Sequence, residues 1–210
     1  MVFEKEFKRY GFHDIVAYSA TDITDDMINQ GFEISREFFQ DEFQIDNSKI
    51  KDLIKTMGQI CFVVYDKSQK KVIGYSYWLP IKTTIFAQFI KSNEMLMMIE
   101  PEHCSKFDEP TVNLFQVGEA FVSGYDLDNL HRGLEDIIQS KILVLARKGV
   151  KIEYVAIEAV CKYDEDYLAK LLGLTSKVKK DKSIFYCGKY SPTTMFARSK
   201  YVDELKEYYG

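Results

Sequence analysis

The sequence predicts a mixed α/β protein built on one mostly antiparallel sheet flanked by helices. Three observations carry this expectation. The stretch ICFVVYDKSQKKVIGYSYWLP is two β-branched and aromatic runs separated by a polar turn, which is the pattern of an antiparallel hairpin. Two long segments, 25 to 39 and 130 to 145, repeat apolar residues at helical spacing. Beyond residue 112, strand-like and helix-like stretches alternate to near the end of the chain. At 210 residues and 46% hydrophobic, the chain suffices for one substantial core. Residues 1–190 are expected as a single domain and 191–210 as a helical tail.

Taken in order, Ile15 to Ser19 is a short apolar strand. Thr24 then offers a cap, and Asp25 and Asp26 sit at the positive end of a helix dipole. Met27, Ile28, Phe32, Ile34 and Phe38 continue that helix to residue 39. A shorter helix covers Ser48 to Met57 and ends at Gly58. The hairpin follows, with strands at 60–65 and 71–79 around the turn Asp66 to Lys70. After Pro80 the apolar clusters fit a short helix near 84–91 and a strand at 95–99. Met95, Leu96, Met97 and Met98 serve there either as an adaptable apolar mouth or as plain core filler.

Val112 to Ser123 is the next strand. Asp128 or Asn129 can cap the following helix, whose stripe is Leu130, Leu134, Ile137, Ile138, Ile142 and Leu145, and which closes at Gly149. Tyr154 to Val160 is dense in apolar residues, as a buried central strand should be. A short helix from Asp164 to Leu172 ends at Gly173, and Ser183 to Tyr190 is the last strand. The tail RSKYVDELKEYYG has one or two amphipathic turns. Its Val202, Leu205, Tyr208 and Tyr209 suit packing on a second copy or on their own subunit equally well.

Composition narrows the partners. Lys and Arg number 28 against 32 Asp and Glu, a net charge of −4, which excludes sequence-independent attraction to nucleic acid or an anionic membrane. A small molecule or a protein is the expected partner. Cys61, Cys104, Cys161 and Cys187 are scattered without a metal-knuckle spacing, so they read as reduced and buried, with no metal site. No apolar run reaches about 18 residues, and the first residues alternate charge with aromatics, which points to a cytoplasmic protein.

The order of elements and three local matches resemble the GCN5-related N-acetyltransferase superfamily. CFVVYDKSQKKVIGYSYWLP looks like the family's central hairpin, with Ile73, Gly74 and Tyr75 at the characteristic places of the return strand. VGEAFV followed by a long helix resembles the fourth strand and the acetyl-CoA helix; YVAIEAV, a short helix and Leu172, Gly173 and Leu174 resemble the fifth strand and the closing element. The likeness spans roughly residues 13 to 190. It implies transfer of an acyl group, usually acetyl, from coenzyme A to an amine of a small molecule or peptide. It also implies a splayed pair of parallel strands, where freed main-chain groups of residues 119–122 pair with the pantetheine arm as another strand would.

On the same resemblance, the cofactor-binding residues are Phe121, Val122, Ser123, Asn129, His131, Arg132, Gly133 and Leu134. The diphosphate would meet the N-terminus of the helix, whose unpaired N–H groups favour an anion. Asn129, Arg132 and Leu134 stand where the family has Arg or Gln, then Gly, then Gly or Ala, and Asp126 and Asp128 bring negative charge to that end. His131 and Arg132 can offset it; alternatively Asp128 is a plain cap and Gly124 a plain turn residue.

The catalytic candidates are Glu119 and Glu158 as general base, each alternatively a plain residue of its strand, and Tyr167 as acid to the departing thiolate, alternatively ordinary packing. The family's usual tyrosine position is Ala169, and no histidine lies near enough in sequence to activate Cys161 as a nucleophile. Gln40, Asp41 and Glu42 end the helix that in the family borders the acceptor, where acids suit a cationic amine or merely keep a helix end solvated. Two functions follow: an N-acyltransferase, or a non-catalytic descendant of the same fold that binds a ligand or protein. An α/β-hydrolase is set aside, because no G-x-S-x-G elbow is present.

Overall fold

A computed structural model of the protein describes residues 2–19, 22–39, 47–57, 60–91, 99–159, 172–179 and 183–210. In chain order the elements are β1 (Val2–Phe3), α1 (Lys5–Lys8), β2 (Ile15–Ser19), α2 (Asp25–Phe39), α3 (Asn47–Met57), β3 (Ile60–Asp66), β4 (Lys71–Ile81) and α4 (Thr83–Lys91). They continue as β5 (Thr111–Phe121), α5 (Leu127–Arg147), β6 (Lys151–Ala159), β7 (Ser176–Lys179), β8 (Ile184–Lys189) and α6 (Val202–Tyr209). The strand order is β1-β2-β3-β4-β5-β6-β8-β7, antiparallel at most of its junctions with one parallel pair, β5 with β6. The mixed, mostly antiparallel sheet expected from the sequence is the one the chain forms. By contact the chain divides into two compact units, Met1–Leu79 with Gly118–Ile138, and Pro80–Val117 with Gln139–Gly210.

In the first unit, β2 pairs with β3 from Ile15↔Asp66 to Ser19↔Phe62, and β3 pairs with β4 from Ile60↔Trp78 to Asp66↔Lys71. Thr24 caps α2 as expected, its Oγ1 accepting from the Met27 N–H at 3.2 Å. Asp66 organises the hairpin turn, since Oδ1 accepts from Ser68 N, Ser68 Oγ and Gln69 N while Oδ2 accepts from the Tyr125 hydroxyl. Phe7, Ile28, Leu53, Ile54, Phe62, Ile73 and Trp78 are almost fully enclosed and form the core.

The second unit holds the parallel register, Thr111↔Lys151 to Gln116↔Ile157, with an irregularity between Val112 and Leu114. β6 pairs antiparallel with β8, and β8 with β7. Phe86 of α4 packs on Phe185 and Tyr154, and Phe115 stacks on Phe185. α6 docks within this unit, with Leu205 fully buried and the Tyr209 oxygen accepting from Ile152 N at 2.8 Å.

Several expectations shift. β1, α1 and β7 are additions to the predicted elements, and β5 stops at Phe121 where the sequence suggested Ser123. α5 begins at Leu127, so its cap is Asp126 and neither Asp128 nor Asn129: Asp126 Oδ1 accepts from the Asn129 N–H at 3.2 Å. Leu127 lies one turn before Leu130 and Leu134 and belongs to the same stripe, which moves the helix start back. Gln40, Asp41, Glu42, Gly58, Met95 to Met98, Cys161, Tyr167 and nearly all of the expected helix 164–172 lie outside the described residues. Cys61, Cys104 and Cys187 are buried thiols, and among the described residues no helix is long and apolar enough to cross a membrane.

Candidate functional site

The end of β5 and the start of α5, both in the first unit, carry most of the expected site. Strand alternation sends successive side chains to opposite faces. Gly74, Ser76 and Trp78 of β4 and Glu119 and Phe121 of β5 share the face that meets His131 of α5. Tyr75 and Tyr77 turn to the other face, where they stack at 4.7 Å and meet Gly31 of α2. A Cβ at Gly74 would stand 2.2 Å from a Phe121 ring carbon, so glycine is what lets that ring lie flat on β4.

Glu119 is 4% exposed, and both carboxylate oxygens are engaged. Trp78 Nε1 donates to Ser76 Oγ at 2.9 Å, Ser76 Oγ donates to Glu119 Oε2 at 2.5 Å, and His131 Nδ1 meets Oε1 at 3.0 Å. His131 is 2% exposed, and its ring stands edge-on to Phe121 at 4.9 Å. This is a buried, partnered polar chain tying the first turns of α5 to β4 and β5. Removing one member leaves the other enclosed without its hydrogen-bonding partner, which typically costs about 1–3 kcal/mol.

The main chain at the end of β5 turns alternate residues to opposite edges. Val122 N donates to Ile73 O at 2.9 Å, which turns Val122 toward β4 and, by alternation, the N–H and C=O of Phe121 toward the opposite edge. The parallel ladder ends at Gln116↔Ile157, while β5 itself runs on to Phe121. An extended amide-bearing arm fits such a strand terminus.

The helix end is different. Asp126 holds Asn129 twice, at its N–H and at its side-chain Nδ2, 2.9 Å from Oδ2. Arg132 Nε lies 3.1 Å from Asp128. Gly133 stands in the second turn and faces Phe7: a Cβ there would lie 2.6 Å from the Phe7 ring. His131 and Leu134 are buried in the same helix. Gly124 has φ +95 with open space around it, a turn residue. So of the eight expected cofactor residues, Phe121 and Val122 belong to the strand end, and Ser123 is exposed in the turn. Asn129 and Arg132 are committed to aspartates, and His131, Gly133 and Leu134 face inward. The residues present fit a pantetheine arm; they do not fit a diphosphate at the helix N-terminus.

Around α5 the N-terminal arm completes the environment. Tyr10 donates to the fully buried Asp136 at 3.1 Å, with Arg9 3.6 Å from the same oxygen. Burial, and next the Asp136 carboxylate, push the Tyr10 hydroxyl up to about 12, so it remains a donor at neutral pH. Glu158 belongs to the second unit, half-buried on β6, with Ser183 Oγ donating to Oε1 at 2.5 Å. Among the described residues no group of three or more His, Cys, Asp and Glu side chains is arranged to hold a metal ion.

Ser76 and Trp78 were not anticipated from the sequence. The available signal was a serine amid the otherwise apolar return strand, and a histidine in phase with the stripe Leu127, Leu130, Leu134.

No family model matches the chain, and no curated protein matches it in sequence. Solved structures do. NAA60 from Arabidopsis thaliana, in complex with a bisubstrate analogue, is 8% identical over 84% of this chain and 97% of that one, at a TM-score of 0.53. FeeM, an N-acyl amino acid synthase from uncultured soil microbes, is 13% identical over 90% and 97%, at 0.52. Ard1 from Thermoplasma volcanium is 13% identical over 84% and 97%, at 0.50. At these identities the likeness establishes the fold.

Proposed function

We propose that this chain, whose fold is that of the GCN5-related N-acetyltransferases, is an N-acyltransferase that moves an acyl group, acetyl in the first instance, from a coenzyme A-type thioester to a small-molecule or peptide amine. The observation that carries the reading is the parallel ladder ending at Gln116↔Ile157 while β5 continues into a capped helix. The thioester arm is assigned to the main chain at Phe121. The amine nitrogen attacks the thioester carbonyl, a C–N bond forms and the C–S bond breaks; the ammonium proton passes to a base and the thiolate takes up a proton. The similarity to proteins named as an N-acyl amino acid synthase and as a bisubstrate-analogue complex supports the class of reaction.

Glu158 is the better supported base, because it is half-buried and one oxygen is oriented by Ser183, whereas Glu119 is enclosed with both oxygens engaged. Tyr167 is the proposed acid. The test is thiol release from acetyl-CoA across a panel of amines. Glu158→Gln should lose about 10²–10⁴ in kcat, and Glu119→Gln should act mainly on stability. The reverse outcome would transfer the base role to Glu119.

A second reading, a non-catalytic ligand- or protein-binding domain, is favoured by the Asp126 cap and by the packing of Phe7 on Gly133. Binding without turnover for every amine tried would establish it.

A further inference from the structure

Resting on the acyltransferase reading, we infer that the donor is recognised through its pantetheine arm and not through a nucleotide diphosphate. Acyl-pantetheine thioesters that lack the nucleotide are then donors on a par with their coenzyme A counterparts.

Four observations converge. The end of β5 presents a strand edge suited to the two amides of pantetheine, with Val122 held to Ile73 and Phe121 turned the other way. The adjacent helix terminus already carries an anion of the protein's own, since Asp126 caps it and takes the Asn129 N–H. The nearest cation on the helix, Arg132, is paired with Asp128, so it does not bring net positive charge to the terminus. Finally, the single glycine within the first two turns of α5 is small because of Phe7: a side chain there would collide with the ring at 2.6 Å.

A cradle for two phosphates needs main-chain N–H groups, a backbone bare enough to close around them, and positive charge. Here the Asn129 N–H is taken, the glycine inside the helix is packed against Phe7, and Asp126 adds a negative charge that the neutral Asp128–Arg132 pair does not offset. A carboxylate about 4 Å from one phosphate charge weakens binding roughly fivefold even in water, and each further charge pair multiplies that. The strand edge is free of this penalty. The chemistry that remains recognisable is an acyl thioester on a pantetheine arm, whether free or carried on a protein through its single phosphate.

The experiment uses the full chain with one acyl group on three carriers: pantetheine, coenzyme A, and the phosphopantetheine arm of a carrier domain. The expected result is that kcat/KM for acyl-pantetheine lies within tenfold of that for acyl-CoA. A preference for acyl-CoA above tenfold overturns the inference. A protein-borne donor exceeding both by more than tenfold identifies the carrier domain as the source of the arm, and parity among the three identifies the free thioester. If no carrier supports transfer, the acyltransferase reading has failed, and calorimetry with pantetheine and coenzyme A still decides the inference by the same tenfold criterion; no binding of either ligand overturns it. Asp126→Asn keeps the cap and removes its charge. It should tighten coenzyme A binding about fivefold and leave pantetheine unchanged; an equal effect on both ligands refutes the assignment.

Discussion

Replacing Gly133 by alanine discriminates between a glycine kept small for a ligand and one kept small for packing. The new Cβ would stand 2.6 and 2.7 Å from two Phe7 ring carbons, where carbon atoms ordinarily rest about 3.5–4.0 Å apart. The ring must therefore retreat by about 1 Å, and since Phe7 is fully enclosed the space comes from its neighbours. Overpacking of this kind costs about 1–3 kcal/mol. The helix itself gains about 1 kcal/mol from alanine in place of glycine. Gly133→Ala should thus be neutral to about 2 kcal/mol destabilising, a fall of up to about 8 °C in Tm for a chain of this size.

The Phe7→Ala background sharpens the test. That change alone costs about 3–5 kcal/mol. With the ring gone, the Gly133→Ala methyl meets no obstacle and only the helical gain is left, so the second substitution becomes stabilising by about 1 kcal/mol. Urea titration of the four proteins gives the coupling directly, expected at about 1–3 kcal/mol. Additivity to within about 0.5 kcal/mol would refute the packing account, and a loss confined to coenzyme A binding would return Gly133 to the ligand site.

Two further outcomes concern single groups of the first unit. Tyr77 is buried, its hydroxyl has no hydrogen-bond partner among the described residues, and burial holds its pKa well above the usual range. Tyr77→Phe should therefore raise stability by about 1 kcal/mol and Tm by about 2–4 °C, whereas a fall of that size in thermal unfolding would reveal a partner. For Asp66, burial pulls its carboxyl upward but is outweighed by the Ser68, Gln69 and Tyr125 hydrogen bonds, leaving it below its ordinary 3.8. A lowered carboxyl contributes stability that is present above that value and is lost as the pH falls through the folded one. Asp66→Asn should accordingly lose less stability than the parent between pH 7 and pH 2.5, and identical acid profiles would remove Asp66 from the account.

The elements with a sustained period were the ones legible in the sequence. Fifteen residues of α2 carry enough apolar repeats to fix both ends, and the hairpin is bounded by its own turn chemistry at Asp66. β1 and α1 are two and four residues long, too short to leave a period, and they form because Phe7 finds Gly133 far away in the chain. The expected site was legible as a strand running into a helix. Its inward half was not, because whether Glu119 looks to solvent or to the core depends on which face α5 covers. Glu119, Ser76 and His131 become one chain of hydrogen bonds only once β4, β5 and α5 are assembled. Asp126 reads in the sequence as charge and not as a cap, because the unbroken apolar stripe begins at Leu130, one turn after the helix itself.

The docking of Tyr10 on Asp136 joins positions 126 residues apart. During synthesis at about 5–20 residues per second, the arm leaves the ribosome roughly 6–25 s before its seat on α5 exists. Through that interval Phe7 is an apolar side chain without its seat against Gly133, which makes the nascent arm a natural client for a chaperone and its closing a late event in folding.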